Sequence, residues 1–362
     1  MKIAFIHGRP SPHPFHEALA RSVDADLHLV DPVLRWHDRD VPVWKRYLSW
    51  LLCALLFPRR SSFDLFITEG GHATPIVMKK LGMLRKNQRT AALMDDQTLY
   101  FMKTSRLPSA SIQKLHYLLG CFDALVCVGD MQTALAHDLF DAVPGGPEII
   151  TINSGVREEQ IQALQRVRPS LESHNLLFIA NGPGGFRSWY KGIDLLFGTF
   201  ELVQKQIPDV TLTIVGEWDE GEKASLAEMF PVAATRTKWC GKVTDLKPAL
   251  QEASLYVHIA RGEAWGISII EAMLAGVPAV VSEWTGAKEA VSQVSEAMVV
   301  PIEALAAAGA IVRYFGLAKD EREKLSQRSK EIAAYYTEES AIRAFRGAVE
   351  MIMQSSPCGS KS

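Results

Sequence analysis

The sequence predicts an α/β protein made of two doubly wound, parallel-sheet domains in tandem. Three observations carry that expectation. Short β-rich apolar runs alternate with longer helical patterns along the chain, the habit of βαβ units around a buried parallel sheet. The alternation breaks once, at a polar, helix-compatible connector that follows Asn153-Ser154-Gly155-Val156 and runs to about Ser173, and then restarts. A chain of 362 residues also exceeds one ordinary core, at about 100–200 residues per domain.

In the first half the candidate strands are Lys2–His7, Leu27–Val30, Leu65–Thr68, Thr90–Met94, Ala124–Val128 and Ile149–Ile152. In the second they are Leu176–Ala180, Thr211–Val215, Lys238–Cys240, Leu255–Ile259, Ala279–Val281 and Ala297–Val299. Residues 1–160 then form one domain and 161–337 a second, with ligands expected at the carboxyl ends of strands facing a cleft between them. Apolar residues at Ile342, Phe345, Val349 and Ile352 give 338–354 a helical stripe, read as a terminal helix crossing back to the first domain. Residues 355–362 read as a flexible tail.

Composition narrows the function. A formal net charge of −2 argues against a general nucleic-acid binder, so no nucleic-acid partner is expected. The five cysteines (Cys53, Cys121, Cys127, Cys240 and Cys358) have irregular spacing, without a Cys-x-x-Cys pair or a neighbouring histidine cluster. No metal is expected from that pattern, and reduced cytosolic thiols are. The N-terminal apolar run is too short for a signal peptide, and no segment approaches the roughly 20 apolar residues that span a bilayer. The expected location is cytoplasmic, with one qualification. Residues 42–60, PVWKRYLSWLLCALLFPRR, join Trp44, Tyr47, Trp50 and a leucine-rich stretch to Lys45, Arg46, Arg59 and Arg60 at the ends. From Arg35 to Arg106 there are thirteen basic residues against six acidic. Two readings stand: a helix lying on an anionic membrane surface, or a core helix beside the first sheet.

The most informative window is Ala260–Ser282. Glu263 and Glu271 stand eight positions apart around Ala264-Trp265-Gly266-Ile267, a turn that opens a helix over about Ile267–Ala275. The unpaired N–H groups at such a helix start make a phosphate site of Trp265, Gly266 and Ile267. Glu271, one turn on, suits the paired hydroxyls of a ribose, and Glu263 suits a sugar on the other side, since a carboxylate accepts from vicinal hydroxyls in a bidentate manner. Lys191, read as standing at a helix start, adds a cation to the exposed N–H groups there as a clamp for a diphosphate.

This window resembles the E-x7-E signature of the retaining, group 1 glycosyltransferases of the two-domain, Rossmann-like GT-B fold. It keeps both glutamates, Glu271-Ala272-Met273 and Gly276-Val277-Pro278. It departs at Ile259-Ala260, where the family usually has Pro-Ser, and at Ala264-Trp265, where Gly-Phe is usual. Asn153-Ser154-Gly155-Val156, Lys191-Gly192-Ile193-Asp194 and the run ending at Gly216 are similar to further family motifs at family spacing. The resemblance covers about 150–290. It implies metal-independent transfer of a hexose, with retention, from a nucleotide-diphospho-sugar such as a UDP- or GDP-sugar to a lipid-linked or glycan acceptor. Glu263, Lys191, Arg187 and Asp95 then take catalytic roles, while Glu271, Trp265, Gly266, Ile267, Gly216, Val243, Asp245 and Gly8 line the donor site.

Several of these assignments carry an alternative. The family's Gly-Arg pair falls on Gly185 here, so Arg187 is expected to replace the missing cation, or else to be solvated in a glycine-rich loop at 181–187. Asp245 either reads guanine or caps the helix after it. Asp95-Asp96 either orients an acceptor hydroxyl or caps a helix, and His72 is either a cleft residue or structural. Gly8 opens a tight loop, Arg9-Pro10-Ser11-Pro12, by the switch-point argument. Asp24-Ala25-Asp26 and Asp38-Arg39-Asp40 have the form of a metal motif but lie far from the donor window in sequence. Two rival functions remain: an epimerase or hydrolase on the same fold, and an inactive sugar-binding scaffold.

Overall fold

The computed structural model describes residues 1–8, 13–29 and 42–355. The Arg9–Pro12 loop, Asp38–Asp40 and the tail beyond 355 lie outside the described residues. The chain divides into two compact units, 1–153 with 339–362, and 154–338. Chain crossings fall at Asn153/Ser154 and Glu338/Glu339.

The N-terminal unit is built on six parallel strands: β1 (Ile3–His7), β2 (Asp26–Leu29), β3 (Leu65–Glu69), β4 (Arg89–Met94), β5 (Ala124–Val128) and β6 (Glu148–Ile152). Their order is β2-β1-β3-β4-β5-β6. β1, β3, β4 and β5 are buried along their whole length, which is why they read as unbroken apolar runs rather than alternating ones. The chain winds from β1 outward to β2, then returns to place β3 on the other side of β1. That reversal is a switch point, the place where open α/β sheets ordinarily bind their ligands. The helix Glu338–Gln354 ends on this unit: Arg346 Nε donates to Ser22 O at 2.8 Å, and Ser355 Oγ donates to the Glu148 carboxylate at 2.6 Å.

The C-terminal unit repeats the plan with β7 (Asn175–Ile179), β8 (Thr211–Val215), β9 (Thr237–Trp239), β10 (Leu255–His258), β11 (Ala279–Ser282) and β12 (Val299–Val300). The order is β12-β11-β10-β7-β8-β9, all parallel, with the switch between β7 and β10. The last strand is shorter and later than the sequence suggested, because Glu296–Met298 winds into a 3₁₀ turn before the extended Val299–Val300 pair.

The segment 42–60 forms the helix Val43–Leu55, followed by Phe57 packed into the core. Ala54 and Phe57 join a buried cluster with Ala4, Ile6, Phe63, Phe66 and Met78. Only that edge is core. Trp44, Tyr47, Leu48, Leu51, Leu52 and Leu55 are exposed, at the i, i+3, i+4, i+7, i+8, i+11 spacing of one helical face. No helix among the described residues is long and apolar enough to cross a membrane.

Candidate functional site

The site of the C-terminal unit grows from the two loops that leave the sheet at its switch point. After β7 the chain runs through Gly184 into the helix Gly185–Lys191, turns at Gly192 and continues as the helix Ile193–Gln204. Gly192 has φ +72°, and a Cβ there would lie 1.9 Å from the Ile259 carbonyl oxygen. Only glycine permits this approach. Its effect is to bring Lys191 from the first loop onto Glu263 from the second.

Lys191 Nζ forms an ion pair with Glu263 Oε2, with side chains 14% and 10% exposed. His258, at the end of β10 and 1% exposed, places Nε2 3.4 Å from the same oxygen. Burial works against the Glu263 charge, but the Lys191 cation and the His258 hydrogen bond outweigh it and pull the carboxyl down to about 2. Burial lowers His258, which therefore meets Glu263 as a neutral ring at physiological pH. The Tyr256 hydroxyl supports this ring from behind, 3.3 Å from His258 Nδ1 and 2.9 Å from Ser268 Oγ.

A second strut fixes the loop. Glu263 N donates to Trp284 O and Gly286 N donates to Glu263 O, each at 2.9 Å. A Cβ at Gly286 would lie 2.0 Å from Ala264 O, so the two strands of the loop pack backbone to backbone. Gly266, at φ +91°, then caps the helix Ile267–Leu274, whose leading N–H groups carry the partial positive charge of a helix start. Trp265 is 5% exposed and packs on Tyr336, ring centroids 5.2 Å apart. It can offer a ligand its backbone only. Glu271 lies on the next turn, accepting from Gln160 Nε2. Burial raises its carboxyl to about 7 in spite of that hydrogen bond.

The remaining donor-side residues take plainer roles. Gly216, at φ +128°, donates its N–H to Gly241 O at 2.8 Å, and a Cβ there would meet Ala180 O at 2.0 Å. It lets the loops after β7, β8 and β9 close on one another. Val243 is half-buried in the loop after β9. Asp245 Oδ1 accepts from Lys247 N at 3.0 Å, at the first residue of the helix Lys247–Glu252.

Two expectations need correction. Lys191 does not start a helix; it ends one, a single residue before the Gly192 cap of the next. Arg187 is not in a flexible loop: Gly184 and Gly185 supply positive φ angles, and the chain coils from Gly185 onward, placing Arg187 on the exposed side of that helix. Arg187 forms no salt bridge among the described residues. The sequence reading missed Arg261, whose guanidinium grips Asp194 through both nitrogens at 2.7 and 2.6 Å and reaches Trp189 O at 2.6 Å. It ties the strand-end loop to the Ile193–Gln204 helix. His258 and Gln160 were missed as well.

In the N-terminal unit, Gly8 N donates to Glu69 O at 2.7 Å, and a Cβ on Gly8 would lie 2.5 Å from the Gly70 carbonyl carbon. Asp96 Oδ1 accepts from Thr98 N at 2.8 Å and caps the helix Thr98–Lys103. Asp95 instead accepts from His16 Nε2 at 2.5 Å. His72 is buried, its Nδ1 2.8 Å from Thr68 Oγ1, and burial lowers its pKa. It is structural.

Comparison with known proteins bears on the fold and on the C-terminal unit. Residues 174–315 match the family model described as Glycosyl transferases group 1, and the C-terminal unit carries a domain of that family. A phosphatidyl-myo-inositol mannosyltransferase of Mycolicibacterium smegmatis is 29% identical over 135 residues, 36% of this chain and 33% of that protein. The match therefore spans about a third of that relative's length. Among solved structures, sucrose-phosphate synthase from Thermosynechococcus elongatus superposes with TM-score 0.73 at 17% identity, over 97% of this chain and 99% of that one. Anabaena HepE in complex with UDP and glucose gives TM-score 0.69 at 15% identity, over 98% and 100%. The architecture is that of the GT-B fold.

Proposed function

We propose that this chain, with its group 1 glycosyl transferase domain, transfers a hexose with retention from a nucleotide-diphospho-sugar to a lipid-linked or glycan acceptor. The observation that carries the reading is the buried Lys191–Glu263–His258 cluster at the β7/β10 switch point, four residues before a glycine-capped helix start. Such an arrangement offers a cation and helix N–H groups to a diphosphate, and a carboxylate to the hydroxyls of the sugar attached to it.

In this reading the diphosphate competes with Glu263 for Lys191, and the Gly266–Ser268 backbone shares its charge. Negative charge grows on the departing phosphate as the sugar–oxygen bond breaks. A fixed cation and fixed dipoles stabilise that charge with little reorganisation, so the leaving group needs no metal at this site. Glu271 accepts from the ribose hydroxyls in place of Gln160. We read the step as attack from the same face with the leaving phosphate taking the acceptor proton, as the family resemblance implies. Asp245 is engaged with Lys247 N, which favours a base read by backbone groups near Val243, and UDP over GDP. The name of the mannosyltransferase relative pairs the sugar with phosphatidyl-myo-inositol, and the exposed apolar face of Val43–Leu55 beside Lys45, Arg59 and Arg60 suits an anionic membrane surface. Both support a lipid-linked acceptor and a peripheral membrane location.

The test is thermal stabilisation by UDP, GDP and ADP in the presence of EDTA. UDP is expected to raise the melting temperature most, and Lys191→Ala to lower the UDP affinity about ten- to a hundred-fold, the worth of one charge-assisted phosphate contact at roughly 1.5–3 kcal/mol. Stabilisation by none of the three, or an effect untouched by Lys191→Ala, rejects the reading.

A further inference from the structure

The N-terminal unit holds a buried cluster that the proposed transfer reaction does not use. His7 ends β1 and Glu69 ends β3, and the two are register partners across the sheet, so their side chains leave the same face side by side. His16 comes from the helix Pro14–Ser22, which packs over that end of the sheet. The exposures are 0% for His7, 3% for His16 and 3% for Glu69. His7 Nε2 lies 2.8 Å from Glu69 Oε2 and 3.0 Å from His16 Nδ1, and His16 Nδ1 lies 3.7 Å from Glu69 Oε2. Outside this trio, His16 Nε2 meets the Asp95 carboxylate at 2.5 Å.

We propose that His7, His16 and Glu69 form a binding site for a divalent first-row transition cation of the zinc class. Three arguments converge. The first is geometric: a triangle with sides 2.8, 3.0 and 3.7 Å has a circumradius of about 1.9 Å, abc divided by four times its area. A cation about 2.0–2.2 Å from each atom, the usual zinc–nitrogen and zinc–oxygen distance, therefore sits just off their plane without moving any of the three. The second is chemical. Two imidazoles and one carboxylate are the donor set of open zinc and non-haem iron sites, and they leave further coordination positions for water or a ligand oxygen. The third is the support. The second nitrogen of a ligating histidine ordinarily donates to a carboxylate, which fixes the tautomer and raises the basicity of the ligating nitrogen. Asp95 occupies that position for His16. The rival arrangement is a metal-free hydrogen-bonded chain running Glu69, His7, His16, Asp95.

The site is in the N-terminal unit, and nothing in the leaving-group argument for the C-terminal unit depends on it. It brings a Lewis-acidic, electropositive centre to the carboxyl end of β1 and β3, where an oxygen ligand of an acceptor would bind.

The experiment uses tag-free full-length protein stripped with EDTA, then titrated with Zn²⁺ by calorimetry and with Co²⁺ by visible absorption. One equivalent of zinc is expected, with a Co²⁺ d–d band that zinc displaces. Asp95→Asn is expected to weaken zinc about ten- to a hundred-fold, and His16→Ala and Glu69→Gln to weaken it further. Circular dichroism and a thermal melt establish that each variant is folded. Should the buried-site variants unfold, the partly exposed Asp95 decides, since its change leaves the three ligands in place. No stoichiometric zinc and no cobalt band in the wild type establish the metal-free chain and overturn the proposal. Wild-type affinity in all folded variants also overturns it, because the cation then binds elsewhere.

Discussion

Replacing Glu263 with glutamine tests the central cluster directly. The structure gives the magnitude. The Glu263 carboxyl is drawn from 4.5 to about 2, so its ionised form is favoured in the fold by about 2.5 pK steps. At ~1.36 kcal/mol each this comes to about 3 kcal/mol. The figure agrees with the roughly 3–5 kcal/mol cost of removing one partner from a buried pair, because the amide leaves Lys191, itself 14% exposed, without its counter-charge. The sign follows from the depressed pKa. The stabilisation is complete above the unfolded-state pKa near 4.5 and is lost as pH falls towards 2. Glu263→Gln is therefore expected to destabilise the C-terminal unit by about 2–3 kcal/mol at pH 7, and the deficit should shrink between pH 4.5 and 3. Five of the eight tryptophans lie within 154–338, so fluorescence-detected urea unfolding at several pH values follows mainly that unit. Pyrophosphate should narrow the gap at pH 7 by giving Lys191 a new anion. A variant as stable as the wild type at pH 7, or one whose deficit stays constant down to pH 3, would refute the claim that this pair is an ionised, mutually stabilising unit.

Three further outcomes are expected. Glu271 titrates near 7 because burial resists its charge, and a ribose needs the ionised form. UDP-glucose affinity measured by calorimetry should therefore fall up to about ten-fold per pH unit below 7, and Glu271→Gln should be weaker than wild type at pH 8 with a flat profile. The same substitution should raise stability at pH 8, where the wild type bears the cost of a buried charge. Arg187→Ala should cut turnover about ten- to a hundred-fold if Arg187 swings onto the diphosphate; a wild-type rate assigns it to solvent. Cosedimentation with vesicles containing anionic lipid should be salt-sensitive and reduced by Arg59→Glu/Arg60→Glu, at about 1 kcal/mol per basic residue, and binding indifferent to both would leave the Val43–Leu55 face without a membrane role.

Much of this architecture is legible in the sequence because central parallel strands are buried on both faces and read as apolar runs. β5 and β8 coincide with their expected spans, and most of the other strands differ by only a residue or so at an end. β12 fails because Ala297-Met298 is apolar enough for a strand, while the hydrogen bond from Met298 N to Ser295 O closes a turn there. At the site, Glu263, Glu271, Gly266 and Lys191 were visible as types at a spacing, but their partners were not. Gln160 reaches Glu271 across 111 positions and Lys191 reaches Glu263 across 72, and no local periodicity encodes such pairings. His258 was hidden in an apolar strand run. A weak signal did exist: His258, Arg261 and Glu263 stand within six residues of a strand end, where the polar density is high for a buried segment.

The histidine cluster of the N-terminal unit was invisible for the same reason, and its position explains more than its composition does. In each sheet the winding reverses beside the first strand of the unit, between β1 and β3 and between β7 and β10. The connections on either side of each reversal leave for opposite faces of the sheet. Polar residues collect there in both units, His7 with Glu69 in one and His258 with Glu263 in the other, with glycines at Gly8, Gly70 and Gly192 allowing close backbone approach. A purely structural origin would predict that such buried groups be replaceable by apolar residues at little cost, since a core of the same volume is often as stable without the charge. Buried charge beside close-packed glycine at the carboxyl ends of strands suits a ligand site, and both switch points carry that combination.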